Sequence, residues 1–467
     1  MLNGSGSSSE YKHQKEDEVI IDIKENVERQ YCCERLYCCI YKVPKKLRNI
    51  NNDAYTPHIV SIGPYHHDEE KWDDLESKKE WKWEDMQNLK KGYQVKFFKN
   101  IRKKDKLENF VKEEEQRIRD CYEATFEDFD SDKFKEMILD DAVFIIELFL
   151  RNYHDDRGDF LVSKPWLTNA IKLDLQLLEN QLPYFVLEEI YMLAYGCSAR
   201  PSFLTLSSKF FGYKEPDGEA IQDMEIKHFV DLRRHTMLVG VEIDEKLPKS
   251  PGGKIEDLPS AVKLHESGVK FKSVEIKDAV KPGESRRKCK PEKGLLNIEF
   301  EKRAREDSCI WWLRGQVLKI PRLKIEDGTE CLFRNLMALE QCHYPFETHI
   351  CNYIDLMDAL INTRKDVDLL VDHRIISNCV GDHDSIKVMF NRLCLEITPS
   401  TSCYLDICKR LKNHHERWWN RTKATLISVY FENLWRGTGT IAATILLLLT
   451  LLQTIKRFYP ALFTDPK

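Results

Sequence analysis

Asp140 and Asp141 stand side by side, with Glu147 two helical turns further on. Paired carboxylates at that spacing suit general acid–base work. The run that carries them, MILDDAVFIIELFL at 137–150, is apolar nearly all round. On such a helix, carboxylates are expected at an exposed or capped edge. His66-His67 follows Gly63-Pro64-Tyr65. Two imidazoles could hold a metal or ligand, but the expected structure is a turn whose rings pack on Trp72. Glu179-Asn180-Gln181 sits between apolar runs, so its polar groups need partners wherever they are buried. The expected arrangement is a polar network that fixes a corner ahead of Pro183. Gly63, Pro64, His66, Glu179, Asn180, Gln181 and Pro183 are therefore assigned a structural role. No catalytic, cofactor-binding or metal-binding residue is assigned.

Other chemistry was sought without success. There is no G-x-S-x-G elbow, P-loop, H-E-x-x-H or G-x-G-x-x-G unit. Only 19 glycines occur in 467 residues, which argues against phosphate-cradling loops. The cysteines number 15, an odd count spread over the chain, including Cys32-Cys33 and Cys38-Cys39. That is no secreted disulfide framework, and reduced thiols are expected. Cys197, Cys309, Cys331 and Cys394 read as small buried apolar groups. The Cys32 to Cys39 cluster lacks a second ligand pair for zinc. His414-His415 falls in a basic segment before the last apolar run.

These residues must be positioned by a large body. Apolar residues make up 42% and charged residues 32%, enough for a core under a wet surface. With 72 basic and 77 acidic side chains, the net charge of −5 gives no argument for nucleic acid. Residues 1–35 read as a disordered polar tail with neither a signal-peptide core nor a second-position glycine. Residues 36–430 form the body. Pro44, Pro57, Gly63 and Pro64 forbid one helix at its start, and Ile59, Val60 and Ile62 suggest a short buried strand. Helical periodicity follows through Leu107, Phe110, Val111 and Ile118. The 137–150 run belongs in the middle of the fold. Residues 171–195 read as two helices broken at Pro183. Val269, Phe271 and Val274, then Leu296, Ile298 and Phe300, then Leu318, Ile320, Leu323 and Ile325 around Pro321, read as strands of a small sheet. Exposed loops are expected near 245–260 and 281–294. Helices resume from Leu332.

Residues 437–455 carry no charge, and as a helix they reach close to 30 Å, the depth of a bilayer's hydrocarbon. Gly437, Ile441, Leu446, Leu449, Leu452 and Ile455 mark an expected transmembrane helix, followed by a short tail at 456–467. Trp435, Tyr459, Lys456 and Arg457 suit its ends. The expected class is thus mainly α: a multi-helix body with a small β-sheet element and one C-terminal transmembrane helix. The expected site is the plasma membrane, single-pass, with the body in the cytosol on the weight of flanking lysines and arginines. Sequons at Asn3 and Asn420 vote the other way.

Several stretches carry a family resemblance: VPKKLR, AYTPHIVSIGPYHH, Leu75-Glu76-Ser77-Lys78-Lys79, LDDAVFIIELFL, DLQLLENQLPYFVLEEIY, AVKLHESGVKF, LKIPRLKIEDGTECLFRNLMALEQC and YFENLW. In this order, over about residues 38–455, the chain resembles the plant-specific family of unknown function numbered 247. The resemblance implies a helix-rich protein with a C-terminal membrane helix and no established enzymatic activity. Some grass members are implicated in self-incompatibility. A departure is LWRGTG at 434–439, where members often carry a proline before the tryptophan. The expected partners are a lipid bilayer and another protein, with no nucleic acid, cofactor or small-molecule ligand evident. The expected function is that of a membrane-anchored interaction or signalling protein. The alternative is a membrane-bound enzyme of unrecognised class that gathers Asp140, Asp141, His66, His67 and Glu179 in one pocket.

Overall fold

The computed structural model describes residues 37–68, 72, 82–101, 103–126, 129–196, 201–213, 225–239, 255–274, 294–302, 316–398, 402–417 and 434–458. The expected tail at 1–35, the cysteines Cys32, Cys33, Cys197 and Cys309, and both sequons lie outside these residues. So do residues 459–467 and the two expected loops, apart from 255–260 and 294.

The described chain is mainly helical with a small sheet. Its first half runs α1 (Lys45–Ile50), α2 (Trp83–Asn100), α3 (Lys104–Glu113), α4 (Glu115–Asp120), α5 (Ser131–Tyr153), α6 (Pro165–Asp174), α7 (Tyr184–Tyr195), α8 (Phe203–Phe211) and α9 (Phe229–Leu238). The helix α5 is the axle of this half. Asp130 caps it by accepting the N–H groups of Asp132 and Lys133. Phe134, Ile138, Val143, Phe144, Ile145, Ile146 and Phe149 on it are all fully buried. They cover its whole circumference because α2, α3, α7 and α8 pack around it. Each such side chain contributes about 1.5–3 kcal/mol by leaving water.

The second half holds α10 (Ala261–Glu266), β1 (Val269–Val274), β2 (Glu299–Lys302), β3 (Gln316–Pro321), β4 (Leu323–Ile325), α11 (Thr329–His343), α12 (His349–Leu360), α13 (Arg364–Asp372), β5 (Ile376–Asn378), α14 (His383–Leu393) and α15 (Leu405–Glu416). The order β1-β3-β2 pairs β1 with β3 in parallel and β2 with β3 antiparallel, with Phe271 and Phe300 both opposite Leu318. Strands β4 and β5 form a second, parallel pair. Phe271, Leu318, Ile320 and Phe300 are buried in a second core that also takes in residues of α10, α11 and α12, with α10 packed against β1. Val269, Phe271 and Val274 fall in β1, and Leu318, Ile320, Leu323 and Ile325 in β3 and β4 with Pro321 ending β3, but of Leu296, Ile298 and Phe300 only Phe300 lies in a strand, since β2 begins at Glu299.

Three expectations are corrected. Ile59, Val60 and Ile62 are buried but form no strand. Their N–H groups are taken by side chains, not by a neighbouring strand. The first of the two helices in 171–195 stops at Asp174, well before Pro183. Leu175–Leu182 turn between α6 and α7, held by the side chains described below.

The third correction concerns the chain's last helix, α16 (Leu434–Phe458). Among the described residues no helix is long and apolar enough to cross a membrane, which overturns the transmembrane helix expected over 437–455. Gly437 and Ile441 contribute no described side chain. The continuous described stretch runs from Ala442 to Ile455, with Leu446, Leu449 and Leu452 exposed on it. Thr444, Thr450, Gln453 and Thr454 dilute it. The bilayer partner and the plasma-membrane placement lose the feature that motivated them.

Candidate functional site

The corner at 175–183 lies where the two cores meet, and four polar side chains organise it. Asp174, the last residue of α6, accepts the N–H groups of His58 at 2.9 Å, Ile59 at 2.6 Å and Val60 at 2.9 Å. Burial pushes its carboxyl above the ordinary range, against the pull of these three donors. Asn180 takes the next donor, the N–H of Ile62, at 2.6 Å. Its amide NH₂ donates to the carbonyls of Val60 and Asp174, both at 3.0 Å. Gln181 donates to the carbonyls of Leu175 and Leu177 at 2.8 Å and accepts the N–H of Phe229, the first residue of α9, at 2.9 Å. Glu179 accepts the N–H of Val43 at 2.6 Å and pairs with Arg48 of α1. The extended 58–63 segment therefore has its backbone satisfied by side chains across the corner.

Gly63 continues the same segment. Its N–H donates to Asp141 at 2.8 Å, and Lys90 of α2 binds both that carboxylate and the Ser61 carbonyl. Lys90 and Asp141 are 2% and 1% exposed, a closed ion pair. Gly63 sits at φ +71°, and an added Cβ would lie 2.6 Å from the Gln181 carbonyl oxygen. That oxygen also accepts the Tyr122 hydroxyl at 2.9 Å. Only glycine fits between these groups. His66 Nε2 lies 3.5 Å from Glu179. Pro64 carries the turn between Gly63 and His66, its carbonyl accepting the His67 N–H at 3.4 Å. Pro183 caps α7, whose Tyr184 N–H bonds the Lys227 carbonyl at 2.7 Å.

The five side chains of the alternative enzyme reading do not share one cluster. Asp141, Glu179 and His66 border the 62–66 turn. The His67 ring instead meets Trp83 at 5.0 Å, with Trp72 edge-on to Trp83 at 5.9 Å. Trp83, not Trp72, is thus its support. Glu147 pairs with Arg151 at 2.7 Å in a separate group with Asp159 and Tyr93. Asp140 accepts a bond from the Gln94 amide. Burial, then the charges of Asp141 and Glu136, push its carboxyl up to about 7.

Asp140 therefore carries a pH signature. A carboxyl that ionises more readily unfolded than folded lowers stability as pH rises between the two values, here from about 4 to about 7. Asp140→Asn keeps the acceptor for Gln94 and removes the charge. The variant is expected to match wild type near pH 4 and to gain about 1–2 kcal/mol at pH 8, solvent at the half-buried edge being allowed for. Thermal melts across that range check it.

Residues that sequence reasoning passed over complete the brace. Asn335 of α11 accepts the Leu178 N–H at 2.9 Å and donates to the Ala54 carbonyl at 2.7 Å. Glu340, one turn on, takes the N–H groups of Ile350 and Cys351 at 2.9 Å and pairs with Arg234 of α9 at 3.2 Å. His228 is fully buried, bonds the Cys39 carbonyl at 3.0 Å and is pushed down to about 4 by burial, so it stays neutral. Their signal was a polar residue inside an apolar run, as at Asn335 and Glu340 in LFRNLMALEQC. Among the described residues no group of three or more His, Cys, Asp and Glu side chains is placed to hold a metal.

A family model described as "plant protein of unknown function" (DUF247) matches residues 40–449. A UPF0481 protein of Arabidopsis thaliana is 30% identical over 436 residues, covering 89% of this chain and 85% of its own length. A second UPF0481 protein of that plant is 22% identical over 518 residues, covering 96% of both chains. No solved structure matches.

Proposed function

Since the chain belongs to the plant protein family of unknown function numbered 247, we propose that it works as a protein-interaction component, and that its polar corner is a brace with no chemistry of its own. The observation that carries this reading is how the corner's acids are spent. Asp174 accepts three backbone N–H groups, Asp141 one N–H and a lysine, and Glu179 one N–H and an arginine. A general base needs a lone pair facing its substrate. These carboxylates face the protein's own backbone.

The surface offered to a partner is α16. Ile441, Ile445, Leu448, Leu452 and Ile455 recur at alternating steps of four and three, the spacing of a helix-pairing seam. Ile445, Leu448 and Leu452 are 51%, 55% and 51% exposed. Thr450 and Thr454 donate their hydroxyls to carbonyls one turn back, at 2.7 and 2.8 Å, so they add little polarity to the surface. Exposed apolar area of this kind marks a binding surface. The partner that fits is a protein presenting a helix with a matching apolar seam.

The test places a photoreactive residue at 448 in the full chain in plant cells, with a second at Val95, an exposed position on the body. Position 448 should give a protein adduct absent from position 95, and Leu452→Asp should reduce it at least tenfold. Adducts with lipid alone, or the same proteins at both positions, would overturn the reading.

A further inference from the structure

We infer that a cavity beside the edge of the sheet binds a small anion of the phosphate monoester class. The cavity measures about 310 Å³ and is lined by Phe271, Lys272, Ser273, Arg322, His373 and Arg374. Three of the six carry a permanent positive charge, and among the described residues no carboxylate lines it.

The fold brings these residues together from three places. Lys272 and Ser273 come from β1, the edge strand. Arg322 stands between β3 and β4, its N–H on the Val274 carbonyl at 3.1 Å and its guanidinium on the Ser377 hydroxyl at 3.1 Å. His373 and Arg374 end α13, with the His373 Nδ1 donating to the Leu369 carbonyl at 2.8 Å. The nearby acids of the sheet are already engaged. Lys319, opposite Lys272, holds Glu301 at 2.6 Å and Glu299 at 3.4 Å. Asp372, which precedes His373 in the chain, is exposed and is not one of the lining residues. Like charges gathered without a counter-charge repel one another, and a bound anion relieves that repulsion.

A further observation points to a ligand. The Ser273 hydroxyl is buried and has no hydrogen-bond partner. A buried hydroxyl ordinarily has one, and an anionic oxygen in the cavity would supply it. Arg374 holds φ +60°, a left-handed conformation unusual for a side chain with a Cβ. It is locked there by its N–H on the Val371 carbonyl at 2.8 Å and by the Ile375 N–H on the Leu370 carbonyl at 2.9 Å. These are the bonds of a helix C-terminal cap, which set Arg374 at the mouth of the cavity just beyond the end of α13. Two guanidinium forks, an ammonium and a hydroxyl match the oxygens of a phosphate group. The volume suits a small molecule.

The experiment is titration calorimetry on the full chain at 0.15 M NaCl, with inorganic phosphate, glycerol phosphate and sulfate as probes. The expected result is saturable one-to-one binding of a phosphate species, weakened about tenfold or more by Arg322→Gln and by Arg374→Gly. Arg374→Gly relieves the backbone as it removes the charge, so it should melt within about 2 °C of wild type, which keeps lost binding distinct from lost fold. Equal affinity for the two phosphates assigns the inorganic ion; tighter glycerol phosphate assigns an organic monoester. No saturable binding of either, binding that both variants keep, or binding matched by sulfate would overturn the inference.

Discussion

Asp174→Ala is expected to destabilise the protein by about 3–6 kcal/mol, because it strands at once the buried N–H donors of Ile59 and Val60 and the partly buried donor of His58. Each unsatisfied buried donor costs about 1–3 kcal/mol, whereas an average bond contributes about 1. The donors of His58, Ile59 and Val60 have no strand beside them to turn to, and the site is closed to water. A loss of this size is a large share of the ~5–15 kcal/mol that holds a typical domain together. Asp174→Asn should fall between, since its amide keeps an acceptor but turns an NH₂ toward donors. Urea unfolding of the three proteins checks the order: wild type, then Asn, then Ala. Near-equal midpoints would mean that the 58–60 backbone finds other acceptors.

Gly63→Ala is expected to cost about 3 kcal/mol or more, from one added methyl. A Cβ residue in a left-handed conformation costs about 1–2 kcal/mol. The remainder is steric. The new carbon would lie 2.6 Å from a backbone oxygen, and that oxygen is pinned by the Tyr122 hydroxyl. Relief requires the 62–64 backbone to move, which breaks the N–H bond to Asp141 and leaves that buried carboxylate with Lys90 as its remaining partner. Gly92 makes a useful control. An added Cβ meets nothing within 4 Å there, so Gly92→Ala should raise stability slightly as a helix-interior replacement. Melting temperatures moving in opposite directions for the two alanines would bear out the geometry, and similar shifts would contradict it.

What could be read from residues alone tracks how local the cause is. The apolar run at 137–150 predicts a central helix, and α5 is one, since burial all round needs only the run itself. The alternating triplets before and after Pro321 predict strands for the same reason. Glu179-Asn180-Gln181 stands out because three polar groups interrupt apolar neighbours. Asp174 did not stand out, because one carboxylate near a helix end is ordinary and its partners lie more than 100 residues away. The 59–62 segment has the composition of a strand, but strand identity depends on a neighbour, and here side chains replace it. The cavity residues are scattered through 271–374 and meet only through β1, the β3–β4 turn and the end of α13. The apolar run near the C-terminus was over-read. Its leucines and isoleucines are contiguous enough to suggest a span, but threonines and a glutamine interrupt them, and among the described residues no helix is long and apolar enough to cross a membrane.

The account rests on a separation: the corner braces the body, and α16 meets a partner without helping to hold the body together. A thermal melt of the Leu448→Asp, Leu452→Asp double variant of the full chain tests that separation most directly. Both side chains are more than half exposed, so the body's transition should stay within about 2 °C of wild type. A fall of 8 °C or more would mean that these leucines are part of the folded core and are not free for a partner, and the account would fail.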